Sequence, residues 1–304
     1  MKLFESPTDG ATTLAVAQGY VYWWSLGKKL QRCPTTGCAT PEPLTTATDV
    51  NSDTVIDGTN VYFGGGTPWT FRTCATTGCA DGGNVVGAVP GALGDLAIHD
   101  ERAFFLGRGP AVGGPGSLGP HLVSRCDLGG CPSVTVLVSQ PNTLLGAGLR
   151  GLAVGASGLF WMINTSDFSG VMGGLGVFRS PVDGGVPVQL ASSGVGALLD
   201  IALTRELVVW SGVKGVRSCL ASGCTGEPMR VLDEALTSEL AVDETRAFVS
   251  GSDWVGACVL TGCGTAPEKL ATGQSAPSSV CVDDVAVYWT TRSGTAGTIW
   301  RLAK

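Results

Sequence analysis

The chain has 304 residues and a formal net charge of −6, with 19 Lys and Arg against 25 Asp and Glu. Its basic residues are spread thinly, which excludes the clustered basic face of a nucleic-acid-binding protein. No apolar run approaches the roughly 20 residues of a membrane-spanning helix. The 46 glycines and 16 prolines occur throughout the chain and argue against long helices.

The first predicted element is a short strand at residues 2–5, with the sequence Lys-Leu-Phe-Glu. It follows Met1 so closely that we expect no secretion signal in this chain.

A strand, a polar turn and a second strand ending in large apolar residues then recur seven times. One apolar position of the first strand, the reference position, is occupied by Val16, Ile56, Ile98, Val154, Leu203, Val242 and Val282. Six and seven residues later stand Tyr22-Trp23, Tyr62-Phe63, Phe104-Phe105, Phe160-Trp161, Val209-Trp210, Phe248-Val249 and Tyr288-Trp289. The turns between them, such as Asp-Gly-Thr-Asn at residues 57–60, are typical of β-hairpins.

A third and a fourth strand complete each repeat. The third strand ends near an arginine in six units, at Arg32, Arg72, Arg125, Arg179, Arg217 and Arg301. Four antiparallel strands in about 40 residues describe a propeller blade. One sheet cannot bury two apolar faces alone, so we expect blades to stack around an axis with the aromatic pairs between them.

The sequence therefore predicts an all-β protein, a seven-bladed β-propeller of four-stranded antiparallel blades in one domain. The expected blades cover approximately residues 13–48, 53–89, 95–141, 151–193, 200–234, 239–273, and 279–303 plus 2–6. The last unit has only three strands, and Leu3 precedes Val16 by about as many residues as Leu270 precedes Val282. We expect the N-terminal strand to complete the seventh blade, because closure removes the exposed edge of a linear array.

Ten of the eleven cysteines form five copies of Cys-x4-Cys at the turn between third and fourth strands. The pairs are Cys33 and Cys38, Cys74 and Cys79, Cys126 and Cys131, Cys219 and Cys224, and Cys258 and Cys263. In the fourth unit Ser180 and Gly185 take these places, so this hairpin forms without cysteines.

Zinc and disulfides compete as explanations of these pairs. A tetrahedral zinc site would require two pairs to meet, yet the pairs belong to the outer strands of different blades. Disulfides are the preferred interpretation, each stabilising the fold by roughly 2 kcal/mol on the chain-entropy model. Five of them indicate periplasm, cell surface or secretion, with the signal already removed. The eleventh, Cys281, lies in an apolar first strand, where a small buried thiol needs no partner.

The seventh unit resembles a known family. Val-Tyr-Trp-Thr-Thr at residues 287–291, preceded by Val282-Asp283 and followed by Gly-Thr-Ile-Trp-Arg at 297–301, resembles the YWTD propellers of the low-density-lipoprotein-receptor type. The chain is also similar to related secreted propeller repeats of bacteria, which suit its cysteine hairpins and glycine content. YWTD propellers typically have six blades, and Thr291 stands in place of their closing Asp, so no ligand or catalytic residue is carried over. The resemblance implies an extracellular recognition module.

One face of the predicted propeller, the entry face, holds the connections into the first strands and those between second and third strands. Three residues before each reference position, near the axial channel on this face, stand Thr13, Asp53, Asp95, Gly151, Asp200, Glu239 and Ser279. Carboxylates roughly 8 Å apart repel by about 2 kcal/mol, so such a ring would attract calcium or another divalent cation, or raise a carboxyl pKa. Alternatively, these side chains bond the backbone at the turn into the strand.

The connections between second and third strands are long in the third and fourth units, at about residues 107–121 and 164–175, and such loops are uncommon without a role. These two loops and shorter ones nearby contribute Arg108, His121, Asp167, Trp24, Trp69 and Trp254 to the candidate binding residues. Aromatic rings beside polar groups suit a sugar or a peptide, although a tryptophan can equally anchor its loop. Asn164-Thr165-Ser166 matches a glycosylation sequon.

Catalysis has little support in the sequence. The two histidines, His99 and His121, are expected near opposite faces, and neither a nucleophile elbow nor a His-rich metal cluster occurs. We predict a secreted or cell-surface binding module that holds a protein, peptide or glycan on the entry face. The alternative is a lyase or hydrolase whose divalent cation is held by Asp53, Asp95, Asp200 and Glu239.

Overall fold

The computed structural model describes residues 1–46, 54–65, 69–79, 82–89, 93–109, 119–131, 133–140, 148–166, 172–236 and 239–304. All regular elements in these ranges are β-strands, and they form seven four-stranded antiparallel sheets. The helices needed to cross a membrane are therefore absent from the described ranges. The predicted all-β fold with seven blades is confirmed.

Blades 1 to 4 follow one another along the chain. Blade 1 contains β2 (Ala11–Ala17), β3 (Tyr20–Ser25), β4 (Lys29–Pro34) and β5 (Glu42–Thr46). Blade 2 contains β6 (Val55–Asp57), β7 (Asn60–Gly65), β8 (Thr70–Ala75) and β9 (Asn84–Ala88). Blade 3 contains β10 (Leu93–His99), β11 (Arg102–Arg108), β12 (His121–Asp127) and β13 (Thr135–Gln140). Blade 4 contains β14 (Gly148–Gly155), β15 (Gly158–Ser166), β16 (Met172–Ser180) and β17 (Val188–Ala191).

Blades 5 to 7 complete the ring. Blade 5 contains β18 (Leu198–Leu203), β19 (Leu207–Gly212), β20 (Gly215–Leu220) and β21 (Met229–Leu232). Blade 6 contains β22 (Leu240–Val242), β23 (Arg246–Ser250), β24 (Trp254–Val259) and β25 (Glu268–Thr272). Blade 7 contains β26 (Pro277–Val282), β27 (Ala286–Ser293), β28 (Ala296–Ala303) and, as its fourth strand, β1 (Lys2–Ser6).

The seven hairpins share one register. Each reference residue pairs with the residue five positions further along: Val16 with Val21, Ile56 with Val61, Ile98 with Ala103, Val154 with Leu159, Leu203 with Val208, Val242 with Ala247, and Val282 with Val287. A one-residue slip in any blade would move its apolar side chains to the wrong face. The sequence repeat is therefore a structural repeat, residue for residue.

The large residues of the second strands pack between blades, as predicted. No member of the seven pairs is more than 7% exposed. The first member of each pair meets the second member from the next blade, as Tyr22 meets Phe63 and Tyr62 meets Phe105. The last contact, between Tyr288 of blade 7 and Trp23 of blade 1, closes the ring of apolar interfaces.

Ring closure also occurs through the backbone. Strand β1 pairs antiparallel with β28, with Phe4 opposite Ile299 and Glu5 opposite Thr298. Leu3 and Ile299 are buried in the same core as Tyr288 and Trp23. The predicted completion of the seventh blade by the N-terminal strand is confirmed.

Five disulfides link the ten predicted cysteines, with Cα atoms 5.2 to 5.8 Å apart. Their turns also dock on the preceding blade. The backbone N–H of Cys38 donates to the Leu3 carbonyl, that of Cys79 to Leu44, and that of Cys263 to Val231, at 3.3, 3.1 and 2.9 Å. Cys281 is unpaired and packs against the core between blades 7 and 1, and burial, with Glu239 and Asp283 nearby, raises the pKa of its thiol.

Candidate functional site

All seven blades meet around a cavity of about 340 Å³ on the axis, the axial cavity. Its walls come from the entry ends of the first strands: Thr13, Leu14, Thr54, Val55, Asp95, Leu96, Gly151, Leu199, Asp200, Glu239, Leu240 and Val280. Of the predicted mouth residues, Thr13, Asp95, Gly151, Asp200 and Glu239 are thus brought together, and Ser279 is buried beside them. Asp53 and Asp167 lie outside the described residues.

Irregularities in the first strands shape this cavity. The pairing of first and second strands shifts by one residue at the cavity in blades 1, 3, 4, 5 and 7. Such a bulge bends a strand and redirects its side chains. In blade 4 the bulge contains Gly151, at φ 55°, where an added Cβ would lie 2.7 Å from Ile201 Cγ2 and 2.8 Å from Met162 Cε. Glycine is required there for both reasons.

The polar residues at the mouth link successive blades. Asp200 of blade 5 accepts a hydrogen bond from the backbone N–H of Leu240 in blade 6, at 2.9 Å. The Ser279 hydroxyl of blade 7 donates to Glu239 Oε2 of blade 6, at 2.6 Å, and accepts from the backbone N–H of Leu14 in blade 1, at 3.0 Å. Backbone bonding, the alternative to a cation site, therefore does occur, with its partners in the next blade.

In blade 4 the mouth position is occupied by Gly151, which has no side chain to bond the next blade. Asp200 and Asn164 bond the backbone of blade 5 instead. The second oxygen of Asp200, Oδ1, accepts from the N–H of its own neighbour Ile201, at 2.7 Å. The amide of Asn164 both donates to and accepts from the backbone of Leu198 in blade 5, each at 2.8 Å. Asn164 is buried in this contact, so the sequon is inaccessible to glycosylation in the folded protein.

The axial cavity is electrostatically negative. Three carboxylates line it, and the described side chains of its lining include neither Lys nor Arg. Concave sites lined by one sign of charge concentrate the field and attract counter-ions. Within the described ranges, however, no three His, Cys, Asp or Glu residues are arranged to hold a metal ion.

Arg108 and His121 are the last residue of β11 and the first of β12, and they lie opposite each other. The prediction that they belong to a long loop is wrong at this point, because the strands extend further. His121 is only 3% exposed, and neither ring nitrogen has a hydrogen-bond partner among the described residues. Burial, and secondarily the charge of Arg108, lowers the pKa of His121. A binding role for His121 stays a prediction.

Two of the three candidate tryptophans are structural anchors. The indole N–H of Trp24 donates to Thr54 Oγ1 of blade 2 at 2.7 Å, and its ring packs edge-on against Phe63. Trp254 is buried between blades 5 and 6, with the Lys269 ammonium 4.4 Å from its ring centre. Both rings are buried, which agrees with the loop-anchor alternative, and a binding role for them stays a prediction. Trp69 is half-buried and packs against the core between blades 2 and 3.

The entry face contains a second cavity, of about 550 Å³, between blades 6 and 7. It is lined by Ser252, Ala276, Pro277, Ser278, Arg292 and Gly294, none of which the repeat pattern singled out. The one signal in the sequence is Arg292 itself, a charged residue directly after the Tyr-Trp-Thr-Thr run, where the chain leaves the apolar strand.

Comparison with known proteins supports the fold alone. No family model and no curated protein matches the chain. Among solved structures, it is similar over 99% of its length to the AfRom2 CNH domain, with a TM-score of 0.64, 7% identity and 98% of that chain covered. It is similar over the same share to the computationally designed Ika8 protein and to BamB from Moraxella catarrhalis, with TM-scores of 0.62 and 0.57, 12% identity each and 99% of both chains covered. The likeness to YWTD propellers stays a prediction.

Proposed function

We propose that this protein is a binding module of the cell surface or extracellular space that holds a partner on its entry face. The axial cavity carries the proposal. It is a concave site to which every blade contributes, it opens where connections can surround a ligand, and three carboxylates line it. The propeller fold is typical of protein-interaction modules, which agrees with this role.

The chemistry of the cavity narrows the class of partner. Carboxylates in a concave site favour a ligand with a positive charge, such as a protein or peptide that inserts a Lys or Arg side chain, or an amino sugar of a glycan. Asp200 and Glu239 are held by hydrogen bonds to neighbouring blades, so their charges are already positioned. A preorganised site loses little conformational entropy on binding. The five disulfides agree with an oxidising compartment.

The test uses arrays of basic, neutral and acidic peptides and of glycans, probed with the purified chain. We expect binding to basic peptides or amino-sugar glycans, and loss of that binding by at least tenfold in Glu239→Lys. Glu239→Gln keeps an acceptor for Ser279 and should lose less. Asp284→Lys is the matched control, because this exposed residue lies in a turn on the opposite face.

The proposal predicts that the control variant binds as the wild type does, with melting temperatures showing that all variants are folded. Equal losses in Glu239→Lys and Asp284→Lys would show that net charge alone governs binding. Undiminished binding in Glu239→Lys would move the site away from the axial cavity and refute the proposal.

A further inference from the structure

The cavity between blades 6 and 7, the interblade cavity, is built from three connections on the entry face. Ser252 lies between β23 and β24, Ala276 lies between β25 and β26, and Gly294 lies between β27 and β28. Pro277 and Ala276 supply apolar surface, whereas Ser252 and Ser278 supply hydroxyl groups. Such a mixture of apolar walls and a few polar groups is typical of a ligand site.

Arg292 is the charged residue of this cavity. Its backbone is fixed, because its N–H donates to the Ser275 carbonyl at 3.0 Å and its own carbonyl accepts from the Ser275 hydroxyl at 3.2 Å. Its side chain is exposed, and within the described part of the chain its guanidinium forms neither an ion pair nor a hydrogen bond. By contrast, Arg32 and Arg217 are each held by a carboxylate, at 2.7 and 2.6 Å.

The wall beside Arg292 has an unusual backbone. Ala276 adopts φ 44°, a left-handed conformation that costs a non-glycine residue roughly 1–2 kcal/mol. Such strain persists only where the surroundings impose it, and it occurs often at ligand sites. Ser278 is fixed as well, since its hydroxyl lies 2.7 Å from that of Thr290. The cavity is therefore already shaped in the free protein.

We infer that the interblade cavity binds an oxyanion, a phosphate, sulfate or carboxylate group of the ligand, on the guanidinium of Arg292. A guanidinium donates two parallel hydrogen bonds to such a group, and Ser252 and Ser278 offer further donors. Asp253 follows the cavity residue Ser252 directly in the chain, and it forms no ion pair with Arg292 in the described structure. The charge of Arg292 is thus available to an anion.

The position of the interblade cavity extends the proposed function to a second charged group of the partner. The biological role of this cavity rests on that proposed function. Ser278 lines the interblade cavity and Val280, two residues along the same strand, lines the axial cavity. Two residues of a strand span roughly 7 Å. The entry face would then recognise a cationic and an anionic group of one partner, as in a peptide that carries both basic and acidic side chains.

The experiment follows the Arg Nε–Hε signals in NMR titrations with inorganic phosphate, sulfate and acetate, at constant ionic strength set with chloride. The Arg292 signal is identified by its absence in Arg292→Gln. We expect it to shift and saturate with at least one of the three anions, and the comparison shows whether the site prefers a tetrahedral oxyanion or a carboxylate. Backbone amide signals of Ser252 and Ser278, followed in the same titrations, should show anion binding weakened at least tenfold in Arg292→Gln and less in Arg292→Lys, because lysine keeps the charge and loses the paired donors.

Arg205→Gln is the control, since Arg205 is an exposed arginine in a turn on the opposite face. Its anion binding should equal that of the wild type. An Arg292 signal that shifts only linearly with all three anions, or equal weakening in Arg205→Gln, would refute the inference. Because the probes are simple anions, this outcome is independent of partner binding, and Glu239→Lys should still bind the anion if only the proposed function fails.

Discussion

The turns between the third and fourth strands of blades 2 and 4 show what the disulfides add to this fold. In blade 2 the turn carries the Cys74 to Cys79 bond, and Gly78 donates to the Ala75 carbonyl at 2.9 Å. In blade 4 the cysteines are missing, yet Gly184 donates to Pro181 in the same way, at 3.0 Å. Gly78 and Gly184 have similar left-handed φ angles, 111° and 94°. The backbone thus forms this turn with or without the covalent bond.

The two turns also dock differently on the preceding blade. In blade 2, Cys79 donates to the Leu44 carbonyl and Arg32 of blade 1 donates to the Thr76 carbonyl at 2.6 Å. In blade 4 the side chain of Asp183 takes over, accepting from Arg125 at 2.8 Å and from Arg102 at 3.1 Å, both of blade 3. At least one arginine of the preceding blade therefore holds each turn, by a backbone carbonyl in blade 2 and by the Asp183 carboxylate in blade 4.

Removing the covalent bond should have the largest effect. The double variant Cys74→Ser/Cys79→Ser is expected to lose about 2 kcal/mol of unfolding free energy, because the unfolded chain regains the entropy of a short closed loop. Chemical denaturation under non-reducing conditions measures the loss. Adding reductant should bring the wild type toward or below the variant and leave the variant less affected. A variant as stable as the wild type would mean that the blade 4 type of turn is sufficient.

Substituting the left-handed glycine of the blade 4 turn should have the next largest effect on stability. In Gly184→Ala the new Cβ would lie 3.2 Å from the Leu137 carbonyl oxygen of blade 3, at a φ that alanine disfavours. We expect a loss of roughly 1–2 kcal/mol, chiefly from this backbone strain. Gly19→Ala is the control, because its φ is also positive but nothing lies within 4 Å of the added Cβ. A smaller loss in the control would isolate the contribution of docking on blade 3.

The partly buried ion pair between Asp243 and Lys304 is a second contact between charged groups, and its contribution to stability can be tested through its pH dependence. Lys304 lies 2.9 Å from Asp243. Although burial by itself would raise the pKa of Asp243, Lys304 and the N–H groups of Thr245 and Arg246 lower it to about 2. Because the folded pKa is depressed, the stabilisation is present above pH 4 and is lost as the pH falls toward 2.

Asp243→Asn should therefore cost about 1 kcal/mol at pH 7, after allowance for solvent screening, and much less near pH 2. Urea unfolding at pH 7, 4, 3 and 2 measures the difference between variant and wild type. A difference that stays constant over this range would show that Asp243 acts through its hydrogen bonds to the turn and not through its charge.

The sequence predicts most of the fold because the sevenfold repeat and the pattern of apolar residues indicate the same arrangement of blades. Val16 and its six counterparts mark the same register, and the second-strand pairs can be buried only between neighbouring blades. It also predicts that Asp95, Asp200 and Glu239 meet, since topology brings the entry ends of all first strands to the axis. The common outline therefore follows from local pattern alone.

The contacts of individual side chains could not be predicted in this way. Asp200 bonds the next blade because of the offset between two sheets, which no single repeat encodes. Trp24 lies at the end of a strand near the entry face, yet its ring turns toward blade 2 to reach Thr54. The surroundings of Arg292 come from three separate connections, so its role is visible only once they meet.

The smallest effect on stability is expected for the ion pairs of Asp183 with Arg125 and Arg102 at the blade 4 turn. Asp183 is 78% exposed, and exposed ion pairs typically contribute about 0–1 kcal/mol. Asp183→Asn should therefore lower stability by at most this amount at low salt, and the difference should disappear by about 1 M salt, where the Debye length is near 3 Å. Asp284→Asn, an exposed acid in a turn between the first and second strands of blade 7, on the same face as Asp183, serves as the control. A large, salt-independent loss in Asp183→Asn alone would mean that Asp183 shapes the turn itself and that the cysteines elsewhere replace a structural role rather than an ionic one.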